Sequence, residues 1–244
     1  MTQSPGDPDG ADDADGADRA GGAGGAGGPA VGAAATYDAI SADYDAAFAD
    51  ELDSKPLDRA LLTSFVEQVG PGVSCDVGCG PGHVTRFLAE HGAQAIGLDI
   101  SAAMIERARR RAPALTFTTG SMLSLPVADG AWAGIVCLYS VIHLTPSERA
   151  TAWAEFARAI RPGGRLLLAF HVASPDYPMG SVNHLTTWFG KRVELDGYFL
   201  DPDEITAQLT AAGFSIEARL DRSPIEGVEY PSHRCYLIAR RDDR

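Results

Sequence analysis

The 244-residue chain carries 33 acidic against 20 basic side chains, a formal net charge of −13. That balance excludes a protein that grips nucleic-acid backbones, which needs a basic stripe or patch. No apolar run approaches the ~20 residues that span a bilayer, and the N-terminus lacks the basic start and apolar core of a secretory signal. The four cysteines, at 75, 79, 137 and 235, are too few for a disulfide framework. Together these features point to a cytoplasmic protein in a reducing compartment.

Residues 1–36 read as a disordered, acidic, Gly/Ala-rich tail. They hold six Asp against one Arg, 10 of the 27 Gly, no aromatic residue and, apart from Val31, no branched aliphatic. Such a stretch cannot bury enough apolar surface to offset the entropy of ordering. Residues 37–72 are expected to form an N-terminal helical cap. Tyr37, Ile40, Tyr44 and Phe48 share one helix face. Leu57, Leu61, Leu62, Phe65 and Val66 share another, which Gly70-Pro71-Gly72 ends.

From Val73 the hydrophobic period switches repeatedly between that of strands and that of helices. Val73–Val77 is a short strand running into Gly78-Cys79-Gly80-Pro81-Gly82. Val84, Phe87 and Leu88 mark a helix ending at Gly92, and residues 95–100 a buried strand. Ser101 caps a helix with Met104, Ile105 and Ala108 inside and Arg109 to Arg111 in its last turn, where cations complement the helix dipole. Strands follow at 115–118 and 134–139. Thr145-Pro146-Ser147-Glu148 is a capping box with Pro at the first helical position. Trp153, Phe156 and Ile160 face inward on that helix, and Pro162-Gly163-Gly164 ends it. Residues 166–170 form a fully buried strand, Asp201-Pro202-Asp203-Glu204 opens a helix ending at Gly213, and strands fall at 214–220 and 235–239. The last two pair antiparallel, because the segment between them lacks helical periodicity. The alternation gives an α/β fold: a doubly wound, mostly parallel seven-stranded sheet with its last strand antiparallel. Ligands of such sheets bind at the carboxyl ends of the strands, near the switch point. Residues 172–199 are long for a connection and mix Tyr177, Trp188, Phe189 and Tyr198 with polar residues. They are expected to form a lid over the site; the alternative is a helical surface insertion.

The strongest local signal is Asp76-Val77-Gly78-Cys79-Gly80-Pro81-Gly82, between a strand and a helix. Glycines there let the backbone approach a ligand and adopt positive φ. Asp99, at the end of the next strand, can accept two hydrogen bonds from a ribose diol. A dinucleotide fingerprint asks for Gly or Ala at the third glycine position, where this chain has His83. A carboxylate at Asp76 also repels a pyrophosphate, but it suits a ligand bearing an amino group and a sulfonium.

These residues resemble the class I S-adenosylmethionine-dependent methyltransferases of small-molecule type. Asp76-x-Gly78-x-Gly80-x-Gly82 matches their first motif and Asp99 their ribose-binding acid. Leu123-Ser124-Leu125-Pro126 and Arg161-Pro162-Gly163-Gly164 fit their segments after the third strand and before the fifth. Ser121 and Ala133 stand where many members have Asp. The resemblance implies a Rossmann-like methyltransferase domain over 73–240. It implies S-adenosyl-L-methionine as cofactor and methyl transfer to O, N or C of a small, partly apolar metabolite. By the same resemblance, Asp76, Gly78, Cys79, Gly80 and Gly82 hold the methionine part and Asp99 the ribose. Ile100, Met104 and Met122 cover the adenine faces, and Ser121 with Leu123 serves the adenine amino group. Tyr44 closes over the cofactor, and Tyr139 faces it from the end of the fourth strand.

Displacement at a sulfonium methyl chiefly requires alignment and exclusion of water, with a base where the nucleophile is weakly acidic. The carboxyl-end topology offers His143, His171 and His233 as candidate bases; the plainer alternatives are that His143 bonds a backbone carbonyl and His233 pairs with Glu229. No His or Cys spacing suggests a metal site, and none is expected. The expected partner is a small-molecule acceptor, with neither nucleic acid nor membrane. Two other readings stand beside this one: a nicotinamide-dependent oxidoreductase, against which His83 and Asp76 count, and a non-catalytic protein-binding domain on the same fold.

Overall fold

The computed structural model describes residues 29–243, so the disorder expected for residues 1–28 lies outside the described residues. Helix α1 (Pro29–Phe48) begins inside the stretch read as tail. Residues 29–36 are helical because they have a surface to pack on: Ala33 is buried beside Trp188, Val193 and Leu195, and Thr36 Oγ1 donates to the Glu194 carbonyl at 3.1 Å. A 3₁₀ turn (Glu51–Ser54) leads to α2 (Pro56–Val69). Then follow β1 (Val73–Val77), α3 (His83–Glu90), β2 (Gln94–Asp99), α4 (Ala102–Arg111) and β3 (Thr116–Thr119). Next come β4 (Trp132–Leu138), a 3₁₀ turn (Val141–His143), α5 (Pro146–Ala159) and β5 (Ile160–Ala173). The chain closes with β6 (Val182–Trp188), β7 (Lys191–Tyr198), α6 (Pro202–Ala211), β8 (Phe214–Arg222) and β9 (His233–Arg241).

Seven strands form one sheet in the order β3-β2-β1-β4-β5-β9-β8. The first five are parallel, and β9 runs antiparallel to both β5 and β8. The order reverses between β1 and β4, which opens a crevice at their carboxyl ends. Both sheet faces are buried, so the central strands read as unbroken apolar runs. Ile135, Cys137, Leu166 and Leu168 face Trp153 and Phe156 of α5, whereas Val136 and Leu167 face Leu62 and Phe65 of α2. Each of these large side chains contributes roughly 1.5–3 kcal/mol of burial.

The expected caps are present. Ser101 Oγ accepts from Met104 N–H, and Thr145 and Glu148 form a reciprocal capping box with Pro146 at its start. Pro162-Gly163-Gly164 does not separate helix from strand as expected; β5 already begins at Ile160 and is bulged there. A Cβ at Gly164 would lie 2.5 Å from the Ala133 carbonyl oxygen, so only glycine lets the two strands approach. The insertion at 172–199 is an antiparallel hairpin, β6–β7, rather than a helix, and it packs on α1. Among the described residues, no helix is long and apolar enough to cross a membrane, and the four cysteines are buried and unpaired.

Candidate active site

The site is built on the turn after β1. The N–H groups of Gly78 and Cys79 both donate to the Leu98 carbonyl, at 2.7 and 3.1 Å, and this stitches the turn to β2. Gly78, Gly80 and Gly82 all have positive φ, at 78°, 51° and 85°. Their surroundings divide the labour. A Cβ at Gly78 would collide with Ser140 Oγ at 2.1 Å, and one at Gly82 with Phe117 at 2.8 Å. Those two glycines allow close packing of the turn. At Gly80 a Cβ would make only ordinary van der Waals contact, with Tyr44 Cε1 at 3.8 Å, so this glycine is not required by packing.

Two carboxylates flank the turn. Asp76 is 2% exposed and accepts from Thr85 Oγ1 at 2.7 Å. Burial pushes its carboxyl up to about 6, against the opposing pull of Thr85 and His83. Asp99 accepts the Ser101 N–H on Oδ1 and the Gly80 N–H on Oδ2, both at 2.8 Å. Burial raises its carboxyl too, and these backbone hydrogen bonds only partly offset the shift.

Between the turn and α1 lies a cavity of about 1020 Å³, counting its open mouth. Of the cofactor residues expected from sequence, Asp76, Gly78, Cys79, Gly80, Asp99 and Ile100 line it. So do Met104, Ser121, Met122, Tyr139 and, from α1, Tyr44. Gly82 and Leu123 do not. Gly82 is spent on packing α3 against β3, and Leu123 meets Ser121 only through its backbone, its N–H donating to Ser121 Oγ at 3.1 Å. The three candidate histidines separate. His143 lines this cavity and a second, smaller one beside the hairpin; His171 lines only the second. His233 is exposed at the start of β9 and lines neither.

Two further wall residues, Tyr37 and Glu51, were not anticipated. His83 sits 9% exposed, its Nε2–H donating to Glu51 Oε1 at 2.9 Å, while its Nδ1 is buried with no partner. Burial pushes the Glu51 carboxyl up, but His83 and Lys55 outweigh it and hold the group at about 2. His143 Nδ1 lies 2.7 Å from the Asp196 carbonyl, which can only accept, so Nδ1 carries the proton. Nε2 then accepts the Tyr37 hydroxyl proton at 2.8 Å. Burial lowers the pKa of His143 and, more strongly, that of His171, so both rings are neutral at neutral pH. Only spatial proximity joins these pairs; 106 positions separate Tyr37 from His143.

Tyr139 is a non-glycine residue at φ 54°, a conformation costing on the order of 1–3 kcal/mol. A buried polar chain holds it. Its hydroxyl donates to Tyr236 Oη at 2.6 Å, and Tyr236 in turn donates to Asp58 Oδ1 at 2.8 Å. Arg222 bridges Tyr236 at 2.7 Å and Glu229 at 2.6 Å, and Lys55 continues from Glu229 at 3.6 Å to Glu51 at 2.5 Å. One network thus spans from the turn side of the cavity to the end of β4. Among the described residues, no cluster of His, Cys, Asp or Glu is arranged to hold a metal ion.

A glycine turn at the switch point of an open sheet, with an acid ending the next strand, is the arrangement at which open α/β sheets take nucleotide-like ligands. Comparison with known proteins narrows the class. Residues 75–164 match the family described as "Methyltransferase domain". Over 148 residues the chain is 28% identical to the demethylmenaquinone methyltransferase of Beutenbergia cavernae, covering 59% of this chain and 60% of that protein. Over 136 residues it is 30% identical to the malonyl-[acyl-carrier protein] O-methyltransferase of Serratia marcescens, covering 56% and 51%. The chain therefore spans only about half to three-fifths of the length of these relatives. Among solved structures, the DhpI–SAH complex superposes with a TM-score of 0.68 at 23% identity, covering 89% of this chain and 98% of that one. An S-adenosylmethionine-dependent methyltransferase from Methanosarcina mazei superposes at 0.67 and 18% identity, covering 75% and 98%. These likenesses show the same Rossmann-like sheet. The domain match and the relatives support a class I S-adenosylmethionine-dependent methyltransferase, with S-adenosylmethionine as cofactor.

Three features of the cavity fit that cofactor. Gly80 lines the cavity between the turn and Tyr44, where a Cβ would occupy part of the space. His83 Nδ1 is a buried polar atom still without a partner at the turn end. Asp76 is a buried carboxylate on the cavity wall with no cation among its hydrogen-bond partners, as a ligand bearing an ammonium group requires.

Proposed function

We propose that the protein methylates a small, partly apolar metabolite. The observation that carries this reading is a single cavity joining Asp76, Gly80 and Asp99 to Tyr139 and His143 under the aromatic rings of Tyr37 and Tyr44. When bound, S-adenosylmethionine supplies a methyl carbon already activated by a positive sulfur.

The chain's own part is to bind, orient and exclude water. Asp76 takes the ammonium of the methionine part, and His83 Nδ1 meets a polar atom of the same part. Asp99 takes the ribose diol on its remaining lone pairs, since each carboxylate oxygen already accepts one backbone N–H and has room for another donor. Ile100, Met104 and Met122 flank the adenine, with Ser121 at its amino edge. Tyr37 and Tyr44 offer ring faces that attract a sulfonium and keep bulk water from the transferring carbon. The curated relatives act, by their names, on demethylmenaquinone and on malonyl-acyl-carrier protein, which supports an acceptor built on a small organic group.

Titration calorimetry with S-adenosylhomocysteine tests the reading. The full chain is expected to bind one equivalent; a folded chain that binds none overturns it. Binding of a nicotinamide dinucleotide instead would favour the oxidoreductase.

A further inference from the structure

The second cavity has no place in the cofactor scheme. It lies between the β6–β7 hairpin and the ends of β4 and β5, about 460 Å³ with its mouth counted. It adjoins the cofactor cavity at two places. His143 lines both, and the His171 ring in its wall lies against Tyr139 of the cofactor cavity, ring centres 4.9 Å apart. Resting on the methyltransferase reading above, we infer that this cavity seats the ring system of the methyl acceptor, an uncharged planar compound carrying a carbonyl-type hydrogen-bond acceptor, which His171 holds by donating from Nε2.

Counting hydrogen-bond partners fixes the state of the His171 ring. Its Nδ1 lies 2.6 Å from Ser232 Oγ. Ser232 is fully buried, and among the described residues its hydroxyl has no other partner. A buried hydroxyl proton without an acceptor is costly, so Ser232 donates to Nδ1 and that nitrogen is bare. Burial, reinforced by the positive charges of Arg234 and Lys55, keeps the ring neutral, and Glu229 opposes them without reversing the balance. The ring's one proton therefore sits on Nε2. That N–H has no partner among the described residues. It is not sealed off as His83 Nδ1 is, so it opens on the cavity that the ring lines. His171 in this state is a donor and not a base, the reverse of His143, whose Nε2 is the bare nitrogen.

The rest of the wall selects a neutral, flat molecule. No Asp, Glu, Lys or Arg side chain lines the cavity. An ionised ligand there would lose its water and gain no counter-charge in contact with it. A cation would also meet the same Arg234 and Lys55 charges that keep His171 from protonating. Trp188, Tyr198, Phe199, Leu185 and Leu195 supply most of the remaining surface, and Asn183 adds one neutral polar group. Flat contact is already established at this wall, where Phe199 stacks on Tyr177 at 5.3 Å and 8°. A ring seated here with its carbonyl on His171 has the boundary with the cofactor cavity, at His143 and Tyr139, beside it.

Four probes of one ring system test this by equilibrium dialysis on the full chain saturated with S-adenosylhomocysteine. They are the ketone 1-acetylnaphthalene, the hydrocarbon 1-ethylnaphthalene, the anion 1-naphthoate and the cation 1-naphthylmethylammonium. The ketone is expected to bind at least about tenfold tighter than either ion. His171→Phe, which keeps a ring and removes the donor, is expected to lower the ratio of ketone to hydrocarbon affinity about fivefold. Asn183→Asp, in the second cavity alone, is expected to shift the preference towards the cation. In ¹⁵N-histidine NMR spectra of the wild type, His171 is expected to show a protonated Nε2 and a bare Nδ1, with the Nε2–H signal moving when the ketone binds. A preference for either ion, no ketone binding, or a preference unmoved by Asn183→Asp overturns the assignment of the cavity. A ketone-to-hydrocarbon ratio unmoved by His171→Phe overturns the role of His171, and so does a bare Nε2, whether or not that variant folds. Failure to bind S-adenosylhomocysteine at the outset defeats the methyltransferase reading instead, so the two failures are distinct.

Discussion

Lowering the pH should weaken cofactor binding through one group, Asp76. Burial holds its carboxyl at about 6, from an ordinary value of 3.8. A cationic ammonium on the ligand selects the ionised form, so binding between these two values must expel a proton. At pH 5 only about one chain in eleven has Asp76 ionised, against nearly all at pH 7.5, which weakens S-adenosylhomocysteine roughly tenfold, or about 1.4 kcal/mol. Asp99 is shifted in the same direction and adds to the effect. Calorimetry at pH 5 in buffers of different ionisation enthalpy should count close to one proton released per ligand, falling towards zero at pH 7.5. The sign for stability runs the other way. A raised carboxyl favours the folded state when protonated, so its contribution is complete below 3.8 and is lost as the pH rises through about 6. Asp76→Asn removes that loss. The ligand-free variant should gain on the order of 1–3 kcal/mol at pH 7.5 relative to wild type, while binding S-adenosylhomocysteine more weakly and with less pH dependence. Affinity that is flat from pH 5 to 7.5, with no proton released at pH 5, refutes the role given to Asp76.

The glycine turn separates packing from binding: Gly78→Ala drives a Cβ to 2.1 Å from Ser140 Oγ and should cost on the order of 2–4 kcal/mol in urea denaturation. Gly80→Ala should cost only about 1 kcal/mol yet lower S-adenosylhomocysteine affinity sharply, and equal stability losses for the two would contradict this division. Tyr236→Phe leaves the buried Asp58 and the Tyr139 hydroxyl each short of a partner, so a loss of about 1–3 kcal/mol is expected in the same assay. Glu229 is held at about 2 because Arg222, the Ile225 N–H, Arg234 and Lys55 outweigh the upward push of burial. Its stabilisation is therefore complete above 4.5 and is lost as the pH falls through about 2. Wild type should lose more stability than Glu229→Gln between pH 5 and pH 3, and identical losses would remove Glu229 from the acid response.

What was legible in the sequence was written in local patterns. The strand-to-helix turn at Gly78–Gly82, the Ser101 cap and the Thr145–Glu148 capping box each depend on residues within a few positions of one another, and all were found where expected. Apolar runs such as Leu166–Phe170 likewise reported burial on both sheet faces. The departures share the opposite property. Residues 29–36 have the composition of a linker, and they become helical only because the hairpin, more than 140 positions away, offers Ala33 and Thr36 a surface. The hairpin itself is weakly patterned, since much of Val182–Thr187 is exposed or half-buried and its apolar anchors lie on α1. The pairing of His143 with Tyr37, of His83 with Glu51, and of Tyr236 with Asp58 unites residues far apart in the chain. Residue type and the carboxyl-end topology marked His143, His171 and His233 as candidates, but only folding places His143 between two cavities, His171 in the second and His233 outside both.

A crystal structure of the full chain with S-adenosylhomocysteine tests the account most directly. The account predicts the ligand's ammonium at hydrogen-bond distance from Asp76, its ribose hydroxyls on Asp99, and its sulfur directed towards Tyr37 and His143. A nucleoside bound elsewhere, or bound in this cavity with its ribose away from Asp99, would contradict it.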